Sequence, residues 1–320
     1  MDQSILAMAD LATPMAIRVA ATLGLGDHAG TAAELASGTG TSPAALTCLL
    51  DHLVTAGVFA FDAESGSYRP TDLGAQLRTE DAKVLLDINR AGGRAELAFT
   101  DLLGTITTGE PAYERRYGRG FWADIDAEPR LRRSFDAQMG WRFRVQAPQI
   151  AERFEWGRFP RIVDVGGGDG LLLAEILRAH PAVRGEVLDL APSATAAAAR
   201  FAAAGFGDRA SAVAGSFFDP LPPGADAYVL SDILHDWDDD HARRILASCR
   251  EAAAPAGTVV VIEPLRQGAG TAIDLFMLMC FGGRERTVAE LEALAAECGL
   301  APRGTAAVSD GRTALEFAVA

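Results

Sequence analysis

Residues 230–245 read LSDILHDWDDDHARRI: an apolar, strand-like run, then His235 in the company of five aspartates. Three roles are open to such a histidine: metal ligand, proton carrier, or a hydrogen-bonded residue at a strand end. Metal binding calls for converging ligands, such as histidines four apart on a helix or a Cys/His set, and here His241 lies six residues on. The aspartates lack the glycine and the spacing of a calcium loop, so no metal is expected. Asp238, Asp239 and Asp240 have a plainer use, because acids at a helix start cap its free N–H groups and favour its dipole. Proton transfer and simple strand-end bonding remain for His235.

A second group of residues bears on ligand binding. In VDVGGGDG, Gly166, Gly168 and Gly170 stand directly after an apolar run and before a helical pattern. Glycine there permits a tight turn and close approach of a ligand to the backbone. The nicotinamide fingerprint would place its third glycine at 171, which is Leu171, so the pattern is G-x-G-x-G. Asp189 closes the next apolar run, where a carboxylate can accept bonds from ribose hydroxyls of any adenosine ligand. Helix capping is its alternative use, although Ser193 could fill that role. Asp164 either contacts the ligand or holds the loop. Phe217 and Phe218 could flank an adenine or simply pack a strand end. Glu263 closes VVVIE, and a strand's carboxyl end would aim it toward His235. Glu285 in GGRERT reads, from the residues alone, as a surface charge paired with Arg284 or Arg286. Thr287 with Glu290 forms a capping-box pattern.

These residues need elements to position them. From about residue 158 strands and helices alternate: 161–165, 170–179, 185–190, 193–204, 210–215, 227–234, 239–253 and 258–263. That alternation predicts a parallel, doubly wound sheet in an α/β domain over 156–320. Two closing strands, near 303–309 and 313–319, are expected to pair antiparallel. Residues 1–155 read as mainly helical. Leu46, Leu49, Leu50, Leu53 and Val54 share one face of a helix that starts at Ser42–Pro43 and stops at Gly57. A hairpin around Ser65–Gly66 follows, so this domain is expected to be a winged helix. A DNA-binding wing needs a basic recognition helix, but residues 42–57 contain no lysine or arginine. The 320 residues carry 29 basic against 43 acidic side chains, a net charge of −14, which disfavours nucleic acid and anionic membranes as partners. No run of membrane-spanning length and no basic leader is read at the start, and the four scattered cysteines suit a reducing interior, so a cytoplasmic location is expected.

Six stretches, VDVGGGDG, LDLAP, GSFFDPLP, LHDWDDDHARRIL, GTVVVIEP and DLFMLMCFGGRERT, occur in order over 163–287. Together they resemble the class I S-adenosylmethionine-dependent O-methyltransferases. That family includes plant caffeate and flavonoid enzymes and bacterial enzymes of antibiotic biosynthesis. The resemblance implies a Rossmann-like methyltransferase domain and an N-terminal winged-helix domain that dimerises and caps the acceptor. It implies S-adenosylmethionine over Gly166–Gly170, with S-adenosylhomocysteine as product. Asp189 would hold the ribose, and Phe217 and Trp237 would lie near the adenine. Asp164, Leu190, Ser216 and Ser231 would complete the donor set. Ser216 departs from the aspartate common at that position. His235 would be the base that deprotonates a phenolic hydroxyl, flanked by Glu263 and Glu285. Asp236, Phe135, Met139, Trp141, Leu275, Phe276 and Met279 would line a small aromatic acceptor. C-methylation of an activated ring, or a derived hydroxylase or decarboxylase, are the enzymatic alternatives; a ligand-sensing winged-helix regulator is the non-enzymatic one.

Overall fold

A computed structural model describes residues 4–266 and 271–320. The chain divides into two compact units, residues up to 97 with 125–138, and 98–124 with 139–320. The expected boundary at 155 lies inside the second unit, whose sheet strands all follow residue 160.

In the first unit, Pro43–Thr55 is helical because proline presets the first turn and leucines recur on one face. Leu46, Leu50 and Leu53 are fully buried with Leu25, Leu35, Phe59 and Tyr68. Each such leucine contributes roughly 1.5–3 kcal/mol by leaving water. Leu49 and Val54 of the expected stripe pack at its margin. Ser42 makes no side-chain cap bond, contrary to expectation. Strands β1 (Gly30–Thr31), β2 (Phe59–Asp62) and β3 (Ser67–Pro70) form an antiparallel sheet in the order β1-β3-β2. Gly66, at φ 67°, turns the hairpin. One sequence expectation is corrected nearby: Ile5–Thr22 has the length and apolarity of a membrane span. In the structure it is two helices, Ile5–Met8 and Ala12–Thr22, and the second buries Ala16, Ala20 and Ala21.

The second unit is built on β4 (Arg161–Val165), β5 (Arg184–Asp189), β6 (Ala210–Ala214), β7 (Ala227–Ser231), β8 (Thr258–Glu263), β9 (Leu300–Ser309) and β10 (Arg312–Val319). Their order is β6-β5-β4-β7-β8-β10-β9. The first five are parallel, and β10 and β9 close the sheet antiparallel. Runs such as RIVDV and TVVVIE are buried almost throughout because helices cover both faces of a parallel sheet. The chain winds outward from β4 to β6, then returns to start β7 on the other side of β4. That reversal opens a crevice beyond the carboxyl ends of β4 and β7, the usual ligand position in such folds.

Two local readings are corrected. The run expected as a strand to residue 234 stops at Ser231, because Asp232 enters the left-handed region at φ 53° and Leu234–Asp236 form a 3-10 turn. Ser193 is buried inside helix Ala191–Ala203 and does not cap it. Of the cysteines, Cys249 and Cys280 are buried, whereas Cys48 is exposed.

Candidate functional site

At the end of β4 the chain turns through Gly166, Gly168 and Gly170, all at positive φ. A Cβ at Gly166 would lie 2.6 Å from Ile233, and one at Gly170 2.7 Å from Phe201, so bulk is excluded as well as conformation. Asp189, ending β5, accepts the N–H of Gly168 at 2.8 Å and that of Leu190 at 2.6 Å, which ties the glycine loop to the neighbouring strand. Leu190 itself is 40% exposed. Under the loop, Asp164 is buried with neither carboxylate oxygen bonded to protein. Burial, with the charge of Asp189 adding, pushes its pKa up to about 7. Ser231, at the end of β7, also has a buried oxygen without a protein partner. Buried polar groups are nearly always satisfied, so these open atoms are candidates to meet a ligand. A carboxylate, a hydroxyl and open backbone groups fit the amine and hydroxyl chemistry of S-adenosylmethionine.

Beyond β6 and β7 the aromatic side chains gather. Phe217 and Phe218 meet edge to face at 4.9 Å, and Trp237 packs across Phe217 at 5.9 Å and Phe218 at 4.9 Å. The Ser216 hydroxyl is spent locally, accepting the Phe218 N–H at 3.2 Å.

The 3-10 turn Leu234–Asp236 carries His235, which is 5% exposed. Its Nδ1 lies 3.0 Å from Glu263 Oε2, in an ion-pair approach that is off the line of a directed hydrogen bond. The other Glu263 oxygen accepts the N–H groups of Ile233 (3.0 Å) and Leu234 (2.7 Å). One carboxylate thus holds both the turn and the ring. On the far side, Nε2 lies 3.5 Å from Asp236. Burial opposes a charge on the ring, but Glu263, Asp236 and Asp232 outweigh it and raise its pKa to about 9. Asp236 is pushed up to about 7, chiefly by burial, with His235 opposing and Glu263 and Asp232 adding.

Arg286 locks this turn from behind. Buried at 2% exposure, it donates to the carbonyls of Leu234 (2.7 Å) and Trp237 (2.8 Å) and to Asp239 (2.8 and 3.0 Å). Gly283 lets the loop come close, since a Cβ there would stand 2.2 Å from the His235 carbonyl oxygen. Arg284 pairs with Glu290 at 2.8 Å and reaches Asp239 at 3.5 Å. The alternative reading of Glu285 as paired with Arg284 or Arg286 is therefore not met. Glu285 is half-buried, its N–H bonds Asp274 at 3.0 Å, and burial with the Asp274 charge raises its pKa while His235 opposes. Glu290 and Thr287 form the expected capping box, and Asp238 caps helix Asp239–Ala253. Among the described residues no three His, Cys, Asp or Glu side chains converge as a metal site.

The expected acceptor residues are scattered. Met139 and Trp141 are half-buried on helix Pro129–Arg153. On helix Ala272–Phe281, Phe276 packs 5.9 Å from Phe281, Met279 is fully buried and Leu275 is 38% exposed. Phe135 belongs to the first unit, beneath the guanidinium of Arg132. The sequence reading missed Phe121, Trp122 and Phe281. Phe281 meets Phe121 at 4.8 Å and stacks on Trp122 at 5.5 Å. It also missed Asp232 and Arg312, treated below.

Comparison with known proteins places this geometry. An O-methyltransferase domain model matches residues 99–301, and an O-methyltransferase dimerisation domain model matches 6–80. The chain is 49% identical, over 95% of its length and 94% of the relative's, to a 2,7-dihydroxy-5-methyl-1-naphthoate 7-O-methyltransferase from Streptomyces carzinostaticus. It is 42% identical, over 92% and 83%, to aclacinomycin 10-hydroxylase from Streptomyces purpurascens. A solved O-methyltransferase of neocarzinostatin biosynthesis, in complex with S-adenosylmethionine and 2-hydroxy-5-methyl naphthoic acid, superposes with a TM-score of 0.95. It is 47% identical, and each chain is covered completely. The fold is that of an S-adenosylmethionine-dependent methyltransferase. More narrowly, the chain belongs to the O-methyltransferase family.

Proposed function

We propose that this enzyme methylates a phenolic hydroxyl on a small fused-ring aromatic acid in bacterial secondary metabolism, with His235 as general base. The observation that carries the base assignment is the His235–Glu263 pair, 3.0 Å apart beside the crevice at the β4–β7 switch. The naphthoate named for two relatives supports the acceptor class.

Asp189, Asp164, Ser231 and the glycine loop would hold the donor, with Leu190, Phe217 and Trp237 beside its adenine. When bound, S-adenosylmethionine supplies an electrophilic methyl group and leaves as S-adenosylhomocysteine. A phenol has a pKa of about 10 and is a poor nucleophile at neutral pH. His235 takes its proton as the oxygen–carbon bond forms, then passes that proton to solvent. Glu263 fixes the ring and stabilises the imidazolium, as a carboxylate does behind other catalytic histidines. Glu285 and Asp236 flank the same ring, and Asp236 is placed to meet the acceptor's polar groups. The ligand-free ring holds its proton at neutral pH, and any cation bound beside it favours release. Met139, Trp141, Leu275, Phe276 and Met279 would wall the acceptor, and Phe135 lies in the first unit. That unit would also pair two copies, since Ile5, Leu6, Met8 and Leu11 expose apolar surface in and beside its dimerisation domain.

His235→Ala should bind S-adenosylhomocysteine with unchanged affinity by calorimetry yet lose about 10²–10⁴-fold in turnover of a hydroxynaphthoate. Preserved turnover in that variant would sink the base assignment. The product's mass separates the chemistries: gain of a CH2 unit supports methyl transfer, whereas gain of one oxygen would favour hydroxylation, the activity named for one relative. A ring-carbon methyl in the product's NMR spectrum would favour C-methylation.

A further inference from the structure

Asp232 stands out at the end of β7. It is the only non-glycine residue with positive φ among those described, at 53°. Such a conformation is disfavoured for residues with a side chain and persists where its surroundings enforce it. What enforces it here is Arg312, at the start of β10. Its Nε donates to Asp232 Oδ1 at 2.7 Å, and its Nη2 to Oδ2. The two side chains are 5% and 7% exposed. Arg312 is held in turn by the sheet, because the next residue, Thr313, pairs with Glu263 across β10 and β8. Its guanidinium also lies 5.2 Å over the ring of Phe143. A second tie comes from the backbone, where the Asp232 N–H bonds the Ile262 carbonyl at 2.9 Å.

A buried ion pair is weak evidence of stabilisation, since desolvation offsets most of its attraction. Its placement suggests another use. Asp232 starts the turn that delivers His235 three residues later, and Arg312 directly precedes Thr313, which pairs with Glu263, the other anchor of that turn. We propose that Asp232 and Arg312 form a positioning pair for the active site, pinning the left-handed exit from β7 and balancing the charge around the His235 ring. Other charges face that ring from each packed element: Glu263 from β8, Asp236 from its own turn, and Glu285, next to Asp274, from the loop after helix Ala272–Phe281. The charge of Arg142, on helix Pro129–Arg153, reaches both Asp232 and Asp236. Asp232 is one carboxylate of several, but it alone carries a dedicated buried cation. The pair therefore adds almost no net charge when intact and a full charge when either member is lost.

The proposal builds on the reading of His235 as base, and its test separates the two. Imidazole titration of His235 in the ligand-free protein is followed by NMR, assigned with His235→Ala, alongside the pH profile of kcat/KM. Asparagine tolerates positive φ, so Asp232→Asn keeps the turn while removing the charge. It should lower the His235 titration by about one unit, the scale of one nearby charge. Arg312→Gln should raise it. The double variant should return it to within about half a unit of the parent. A uniform loss of activity with the titration unmoved, or a double variant no closer to the parent than the singles, would overturn the pair's role. If Asp232→Asn does not fold, the Arg312→Gln shift decides alone, and absence of a rise counts against the pair. Should the titration move as stated while the kcat/KM limb ignores it, the pair stands and the general-base reading fails.

Discussion

The carboxyl ends of β4 and β7 lie side by side and are built on opposite plans. Beyond β4, buried polar atoms are left open: both oxygens of Asp164 lack protein partners, and so does the nearby Ser231 hydroxyl at the end of β7. The turn beyond β7 is fastened from three directions, by Glu263 on its N–H groups, by Arg286 on its carbonyls and by Arg312 on Asp232. Under the proposed reading, the difference separates binding from chemistry. A site that must take up and release a charged donor leaves groups for the ligand to satisfy, at a cost to stability when empty. A base must hold one geometry whatever is bound, so its support comes from the protein.

The largest effect should come from loosening the fastened side. Glu263→Gln keeps an oxygen able to accept the Ile233 and Leu234 N–H groups but removes the charge behind His235. Turnover should fall by about 10²–10⁴-fold, the upper figure being the loss when the carboxylate behind a catalytic histidine becomes an amide. The folded pKa of His235, raised to about 9, exceeds the ordinary value of about 6.5. The base form therefore accumulates only as pH rises through the upper value, and the acid limb of kcat/KM should lie there in the parent. In the Gln variant the limb should move down toward 6.5, with S-adenosylhomocysteine affinity unchanged. A limb that stays in place would show that Glu263 supports the turn without tuning the ring.

On the open side the same direction of shift falls on stability. The Asp164 carboxyl has a folded pKa near 7, above the unfolded value of about 3.9. The native state therefore favours the protonated form, and this group costs stability as pH rises from about 4 through 7. Asp164→Asn removes that cost. Its melting temperature without ligand should exceed the parent's by roughly 5–10 °C at pH 8 and match it near pH 4, since a rise of about three units is worth about 4 kcal/mol. Donor affinity should fall by roughly tenfold or more, as expected for losing a charge-assisted bond. A variant that melts lower at pH 8 and binds S-adenosylhomocysteine normally would make Asp164 a support of the glycine loop instead.

The two ends were unequally legible in the sequence. The donor end announces itself locally: glycines at 166, 168 and 170 between a strand and a helix, and Asp189 closing the next strand, are set by neighbours a few residues away. His235, Glu263 and the aspartate cap at 238 were legible for the same reason, as residues at element ends. What supports His235 was not. Arg286 and Arg312 reach it across 52 and 80 residues of sequence, and nothing in GGRERT or DGRT distinguishes a buried clamp from a surface charge. Asp232 looked like the middle of an apolar strand, since only its partner on β10 explains a left-handed residue there. The interleaved units were equally hidden, because residues 98–124 join the second unit by packing against helix Ala272–Phe281, which no local periodicity records.

Ser216 offers the mildest test of the contrast. It stands where the resemblance would place an aspartate, at the open end of β6, yet its hydroxyl accepts the Phe218 N–H at 3.2 Å. A hydroxyl engaged in its own turn contributes to the shape of the Phe217–Phe218 corner and little to a ligand. Ser216→Ala should cost no more than about 1 kcal/mol of stability, the net worth of one such bond. S-adenosylhomocysteine affinity should stay within about twofold of the parent. Ser216→Asp would restore a free carboxylate at the mouth of the donor crevice and should tighten donor binding only if Phe217 and Trp237 keep their edge-to-face packing. Calorimetry on the two variants decides the matter: a large loss of affinity in the alanine variant would move Ser216 from the turn into the donor site and extend the open, ligand-dependent region as far as β6.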